Sequence, residues 1–321
     1  YGQTAIRQIL VTHEQNAAHA ADGYARATGR VGVCIATSGP GATNLVTGIA
    51  TAYMDSIPMV AITGQVDLSM LGRDAFQETD ILDVTMPVTK HNYKVKNAAD
   101  LVPTIREAFA LARSGRPGPV LIDVPRNLFF EEVAYTEQKW AEHQPGKPDA
   151  DFIICAAESA AEIVNAERPL VIVGGGVISA GATAETVAFI EKYQLPVVHT
   201  LMGMGAVPSK HPQMLGFIGM HGAKAANCAV GAADLVIALG SRFADRLTGN
   251  LSKFTANRRF IHIDIDPAEI YKIVGSSIGL AGDMRVVLNL LMRKEPKRDH
   301  TAWWQQIHMW QEKFEDDYHV D

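Results

Sequence analysis

Cysteine is scarce: Cys34, Cys155 and Cys228 are the only three, they lie far apart, and none forms a CxxC pair. That spacing argues against a disulfide framework and a zinc-thiolate site, and for a reducing compartment. Histidine numbers eleven, but no HExxH or comparable ligand spacing occurs. No apolar run reaches the roughly 18 residues a membrane span needs. There is no run of like charge either. The formal net charge is −6, and the most basic stretch, "MRKEPKR" at 292–298, is short and reads as a solvated linker. Nucleic acid and membrane are therefore not expected partners. No signal peptide opens the chain; it starts without Met on "YGQTAIRQIL", which reads like the middle of a domain.

What the chain does contain is 47% hydrophobic and 20% charged residues over 321 positions. At roughly 100–200 residues per domain, that length suggests two domains or one large one. Short β-branched runs alternate with Ala-rich helical stretches, the pattern of a parallel α/β fold. "VGVCIATSG" reads as a buried strand, "GPGATNLVTGIATAYMDS" as a turn into a helix, "PMVAITG" as the next strand, and 65–80 as a long loop. Residues 98–113 should form an amphipathic helix with Leu101, Ile105, Ala108 and Leu111 on one face. "GPVLIDVP" closes the unit as an all-apolar strand, suited to a sheet covered on both sides. The stretch 127–150 is charged, holds two prolines and lacks periodicity, so it reads as an interdomain linker. A second α/β unit follows, with strands at "PLVIVGGG", "LPVVHT", "LVIALG" and "RRFIHIDID". The expected fold class is thus α/β with two doubly wound parallel-sheet domains. The tail carries Trp303, Ile307, Trp310 and Phe314 at helical spacing, a stripe expected to pack on a missing domain or another subunit.

Three short motifs invite chemistry, each with a plain structural alternative. "VGGG" at 173–176 ends a strand as a phosphate loop would, but it is not GxGxxG and equally suits a tight turn, which makes a nicotinamide-dependent dehydrogenase a poor reading. In "IHIDIDPAEI", Asp264 could accept a ribose hydroxyl at the carboxyl edge of a sheet, whereas Asp266 reads as a cap for the turn that follows. "SGPGATN" at 38–44 joins a Gly-Pro-Gly turn to a helix start whose N–H groups could meet a ligand. "THEQNAAHAADGYARATG" poses a sharper question: Glu14 opens a helix rich in alanine, where it either serves the helix dipole or is held for proton chemistry.

Taken in order, "HEQNAAHAADGYARATG", "GVCIATSGPGATNLVTGIA", "DSIPMVAITGQV", "DAFQETD", "TKHNY", "SGRPGPVLIDVP", "GMHGAKAAN", "GSRFADRLTG" and "HIDIDPAEI" resemble the acetohydroxyacid (acetolactate) synthase branch of the thiamine-diphosphate enzymes over nearly all of 1–290. The resemblance implies a pyrimidine-binding domain at 1–126 lacking its first strand, a linker at 127–150, a central FAD-binding domain at 151–295, and a helical tail at 296–321 leading to a diphosphate-binding domain with no counterpart here. The Gly-Asp-Gly motif with its downstream Asn, which holds magnesium and diphosphate in the family, has no match in the chain, so no metal ligand is assigned.

The implied activity is decarboxylation of pyruvate and transfer of the two-carbon unit to pyruvate or 2-ketobutyrate, with the chain alone inactive. Other flavin-containing branches (glyoxylate carboligase, pyruvate oxidase, sulfoacetaldehyde acetyltransferase) and a non-catalytic FAD-binding module are the alternatives. Thiamine diphosphate, FAD and Mg2+ are the implied cofactors. Implied partners are a second copy or a homotetramer and a small regulatory subunit. The implied compartment is the cytoplasm in a bacterium and a plastid or mitochondrion in a eukaryote.

The resemblance assigns Glu14 as the acid that activates the cofactor's pyrimidine ring, with its pKa raised in an apolar pocket kept dry by Ala17, Ala18, Ala20 and Ala21. Gln77 faces the reacting centre, and Phe76 and Lys90 belong to the substrate channel and its entrance. Pro40 and Asn44 lie near the pyrimidine, and Arg126 stands where many members carry lysine. FAD would be held by Arg116, Gly174, Gly175, Gly176, Thr200, Leu201, Met220, His221, Gly240, Arg242, Asp264, Ile265 and Asp283, in a structural rather than redox role.

Overall fold

A computed structural model describes residues 6–136, 148–275 and 278–314. By its contacts the chain divides into two compact units, Tyr1–Gln144 and Pro145–Asp321. That boundary falls inside the expected linker, much of which lies outside the described residues. Two ends of the linker are ordered: Arg126–Phe130 form a 3-10 turn with Leu128 buried, and the next helix already begins at Ala150.

The first unit runs α1 (Glu14–Thr28), β1 (Gly32–Ala36), α2 (Pro40–Asn44), α3 (Val46–Met54), β2 (Met59–Gln65), α4 (Ile81–Thr85), β3 (His91–Lys94), α5 (Ala98–Arg113) and β4 (Pro119–Pro125). Its four strands pair in the order β1-β2-β4-β3, all parallel. Alternation along β2 splits the core. Met59 and Ala61 pack with Ala18, Ala21 and Ile49 of α1 and α3, while Val60 packs with Ala108 and Ala112 of α5. Helices thus cover both faces at β2 and β4, as the apolar character of "GPVLIDVP" required, whereas β1, expected as a buried strand, lies at the sheet edge with Val33 and Ile35 exposed on one face. β4 is buried at every position, yet one of those positions is Asp123. α5 spans the expected residues, with Leu101, Ile105 and Leu111 packed against its cluster.

The Ala-rich start of α1 has a packing reason. A Cβ at Gly48 would lie 2.4 Å from the Cβ of Ala18, and one at Gly32 would lie 2.1 Å from the carbonyl oxygen of Ala21. Only small residues allow these approaches. Ala18 and Ala21 are buried, Ala17 is half-buried, and Ala20 faces outward.

The second unit contains α6 (Ala150–Asn165), β5 (Pro169–Val173), α7 (Gly175–Ser179), α8 (Thr183–Tyr193), β6 (Val197–His199), β7 (Met214–Phe217), α9 (Lys224–Ala232), β8 (Leu235–Leu239), α10 (Asp245–Thr248), α11 (Leu251–Thr255), β9 (Arg259–Asp264), β10 (Ile278–Ala281), α12 (Met284–Leu291) and α13 (Thr301–Lys313). Its parallel sheet is ordered β10-β9-β8-β5-β6-β7. Winding starts at β5 and reverses between β5 and β8, the switch point beside which ligands of doubly wound sheets bind. α6, α8 and α12 pack on one face, and α9, α11 and α13 on the other.

α13 corrects the expectation for the tail. Its stripe packs on its own unit: Trp303 and Ile307 are buried with Phe254 and Val230, Trp310 stands edge-on to Trp303 at 5.9 Å, and Lys224 sits over the Phe314 ring. Among the described residues no helix is long and apolar enough to cross a membrane.

Candidate functional site

In the first unit the candidates gather around the Gly-Pro-Gly turn that follows β1. Gly39 has φ +64°, open to glycine at little cost. A Cβ there would also come within 2.7 Å of the Gln77 carbonyl oxygen, so the absence of a side chain lets the 66–80 loop close onto the turn. Pro40 opens α2 at its first position, where its fixed φ suits the helix. One turn on, Asn44 Nδ2 donates to Glu14 Oε2 at 3.0 Å. Gly41 faces the other side of that carboxylate: a Cβ there would stand 3.4 Å from Glu14 Oε1. Glu14, Pro40, Asn44 and Gln77 are thereby drawn to one turn. Phe76 projects beside them and is 88% exposed.

The electrostatics of Glu14 reverse the expectation. Its carboxylate is half-exposed at the first position of α1, and the Asn44 amide, with a backbone N–H, holds its pKa below the ordinary carboxylate value. Burial acts in the raising direction but is the weaker influence. His13, just before it, takes the cap position and accepts the N–H of Gln15.

Lys90 meets a helix end. Its Nζ donates to the carbonyl oxygens of Leu111 and Ser114, each at 2.6 Å, and so caps the end of α5. Burial lowers its pKa. Arg116 donates from Nε to Ser56 Oγ at 2.8 Å within the first unit.

One polar group in this unit escaped sequence reading. Asp123 is fully buried; its Oδ1 accepts from Thr63 Oγ1 at 2.8 Å and its Oδ2 from Gln65 Nε2 at 3.1 Å. Burial pushes its pKa up, against those two hydrogen bonds. Only the placement of a lone acid inside "VLIDVP" hinted at it.

In the second unit the candidates follow the carboxyl ends of the strands. Gly174 and Gly176, after β5, meet Gly240, after β8, at the switch point: a Cβ on Gly174 would lie 2.1 Å from the Gly240 carbonyl oxygen, and one on Gly240 2.5 Å from the Gly176 Cα. Gly176 N donates to Gly240 O at 3.1 Å, and Gly240 has φ +57°. Gly175 begins α7, against Met202. Thr200 follows β6 and accepts the Gly203 N–H through its Oγ1, fixing the Leu201–Gly203 turn. Leu201, Met204, Met220 and Ile265 are exposed large apolar residues on strand-end loops of this edge.

Asp264 ends β9, nearly buried, and its Oδ1 accepts the Asp266 N–H. Asp266 caps the following turn through Ala268 N, as expected. Asp283 is the N-cap of α12, accepting the N–H groups of Arg285 and Val286. Arg242 is half-exposed and His221 exposed. Arg246, not singled out from sequence, holds the Met220 loop: its carbonyl accepts Met220 N and its guanidinium reaches Met220 Sδ at 3.8 Å.

Two concavities of 480 and 690 Å³, lined among others by Arg168, Trp303 and Gln306, lie instead toward the amino ends of the strands. Among the described residues no group of three or more His, Cys, Asp or Glu could hold a metal ion.

Residues 1–84 match the N-terminal TPP-binding domain of thiamine pyrophosphate enzymes, and residues 156–291 match their central domain. The chain is 48% identical over 321 residues to the acetolactate synthase large subunit of Parasynechococcus marenigrum (strain WH8102), an alignment covering 96% of this chain and 51% of that protein. It is 45% identical over 315 residues to the acetolactate synthase isozyme 3 large subunit of Escherichia coli (strain K12), covering 95% and 55%. Against the probable acetolactate synthase large subunit of Methanocaldococcus jannaschii it is 49% identical over 288 residues, covering 88% and 49%. The chain spans about half the length of these relatives.

Proposed function

The chain belongs to the thiamine pyrophosphate enzyme family, and from that premise we propose that it carries the pyrimidine-binding and flavin-binding parts of an acetolactate synthase. The substrates of that reading are pyruvate as donor and pyruvate or 2-ketobutyrate as acceptor. When bound, thiamine diphosphate supplies a nucleophilic carbon and an electron sink for decarboxylation.

Glu14 is the group that holds a proton at the N1′ nitrogen of the aminopyrimidine. A carboxylate with one oxygen fixed by Asn44 and the other facing Gly41 suits that donor. The ring and the protein surface that covers it would strip water from Glu14, strengthening the raising influence that is minor in the open site. Asn44 orients the carboxylate, Pro40 sets the start of α2, and Gln77 presents its amide from the loop seated on Gly39. Phe76, exposed beside it, offers an apolar wall to the ketoacid's carbon chain.

Flavin fits the second unit. Bare glycine backbones converge at the switch point, exposed apolar side chains flank them, and Arg242 stands at the end of β8 for a diphosphate oxygen. In this reading Thr200, Leu201, Met220, His221, Asp264, Ile265 and Asp283 line that edge with Gly174 to Gly176 and Gly240. Flavin is structural here. Magnesium and the cofactor's diphosphate are assigned to no described residue. A second copy of the chain and a small regulatory subunit are the proposed partners.

The observation that carries the reading is the meeting of Glu14, Asn44 and the Gln77 loop at one Gly-Pro-Gly turn. Two measurements test it. Purified chain titrated with FAD should retain flavin absorbance through gel filtration, and a colourless protein would overturn the second-unit assignment. In an assembly that forms acetolactate from pyruvate, Glu14→Gln should cut turnover by orders of magnitude with flavin binding unchanged. Near-normal turnover would refute the proton-holding role.

A further inference from the structure

β2 and β4 pair so that Thr63 stands opposite Asp123, with Lys94 of β3 opposite Asp123 on the other side. This cross-sheet row sits near the carboxyl ends of the strands, where the 66–80 loop departs and returns. Placing a carboxylate there, without access to water, is costly unless its oxygens are satisfied. Both are, but by different routes. Oδ1 takes the Thr63 hydroxyl, a bond internal to the sheet. Oδ2 takes Gln65 Nε2, and that same nitrogen donates to the Thr79 carbonyl at 2.8 Å. The other half of the Gln65 amide, Oε1, accepts Val66 N at 2.9 Å. A single side chain thus closes both ends of the loop, at Val66 and at Thr79.

The remaining bonds act within or beside that closure. Glu78 accepts the N–H groups of Gly72 and Ala75, Asn127 accepts Leu68 N at 3.0 Å, and Lys94 pairs with Asp80 at 3.7 Å. Gln77 itself stands in the left-handed region at φ +61°, a conformation a glutamine keeps only where its surroundings impose it. Its backbone is pressed on Gly39.

We propose that Asp123 and Gln65 are positioning residues for Gln77: the buried carboxylate fixes which way the Gln65 amide faces, and that amide fixes the loop that carries Gln77. The inference rests on the reading of Gln77 given above only for its catalytic consequence. The mechanical part stands on the hydrogen bonds alone.

The amide's polarity makes the claim specific. Asp123→Asn is the conservative control: the Thr63 hydroxyl can accept as well as donate, so the Asn amide can give its NH2 to Thr63 and its oxygen to Gln65, and the loop stays closed. Asp123→Leu removes the acceptor altogether and leaves the Gln65 NH2 with the Thr79 carbonyl alone. Thr63→Val, in contrast, removes the other hydrogen bond of the same carboxylate and leaves the Gln65 amide where it is.

Amide hydrogen exchange on the purified chain reads this out without any need for activity. Asp123→Leu and Gln65→Leu should speed exchange across 66–80 by about tenfold or more, while Val60–Ile62 and Val120–Ile122 stay protected and Asp123→Asn stays near the parent. Thr63→Val should lower global stability without a loop-specific change. Loop exchange that rises as much in Thr63→Val as in Asp123→Leu would overturn the proposal, as would a loop that loosens only in step with the strands. In an assembly that turns over 2-ketoacid, Gln65→Leu should lower kcat, and combined with Gln77→Ala it should be no worse than Gln77→Ala alone. Additive losses would also overturn it. If instead Glu14→Gln leaves turnover intact while the exchange pattern holds, the functional reading falls and the loop assignment remains.

Discussion

Asn44 Nδ2 donates to Glu14 Oε2 at 3.0 Å, tying the last residue of α2 to the first residue of α1 across 30 positions of chain. Hydrogen bonding to the charged form favours ionisation, so the Glu14 pKa is held below its unfolded value of about 4.3. A depressed carboxylate contributes stability above the unfolded pKa and loses it as pH falls through the folded one. Asn44→Ala should therefore move the Glu14 midpoint back up, and Asn44→Asp should move it higher still by setting a second carboxylate beside it. Carbon-detected NMR titration of the glutamate carboxyls measures both. A midpoint indifferent to residue 44 would show that the contact does not govern the acid.

Lys90 offers a choice between two roles. Its ammonium satisfies the Leu111 and Ser114 carbonyls at the end of α5, and its stem packs where a Cβ on Gly118 would come within 2.9 Å. Lys90→Met keeps the stem and removes the donors. The expected result is a loss of about 1–3 kcal/mol in unfolding of the first unit, the usual effect of stripping a charged donor from buried carbonyls. Urea denaturation checks it. Unchanged stability with a raised KM for ketoacid would restore Lys90 to the channel entrance.

Much of this architecture was legible because burial on both faces writes long apolar runs. "PMVAITG", "GPVLIDVP", "PLVIVGGG" and "LVIALG" announce β2, β4, β5 and β8, each an inner strand of its sheet. β3, β7 and β10 were not legible. Each is four residues long, each lies at a sheet edge, and none is buried throughout, so periodicity has too little to act on. The candidates around Gly39 were read from motif words, and the geometry joins four of them. Two physical inferences failed for identifiable reasons. An Ala-rich helix buries its middle rather than its first residue, so Glu14 is half-exposed and its pKa falls instead of rising. Asp123 vanished inside an apolar run because its partners, Thr63 and Gln65, lie some 60 residues earlier.

The close approach of α3 to α1 makes Gly48 sensitive to a single methyl. Gly48→Ala gains up to about 1 kcal/mol of helix propensity. The new Cβ, however, would stand 2.4 Å from that of Ala18, and overpacking of this kind costs about 1–3 kcal/mol. The clash should win, with net destabilisation in urea unfolding, and Ala18→Gly in the same chain should recover part of the loss by vacating the space. A stabilised Gly48→Ala would mean that the two helices can part without cost.

Trp303 decides what the tail helix is for. The indole is buried, its Nε1 donates to the Pro169 carbonyl at 3.0 Å, and Trp310 stands edge-on at 5.9 Å. Pro169 begins β5, the strand from which the second sheet winds in both directions, so the bond reaches the centre of that unit rather than its rim. If α13 were only a tether, removing this side chain would leave the unit's unfolding unchanged. Packed as it is, Trp303→Ala should cost about 3–5 kcal/mol, the range for large buried aromatics. Trp303→Phe separates the two contributions: it keeps most of the ring's contacts but leaves the Pro169 carbonyl unpaired, for a loss of about 1–3 kcal/mol. Calorimetry and urea unfolding of the second unit should rank the variants in that order. Equal losses for Phe and Ala would assign the effect to the hydrogen bond, and no loss in either would return α13 to the role of a tether.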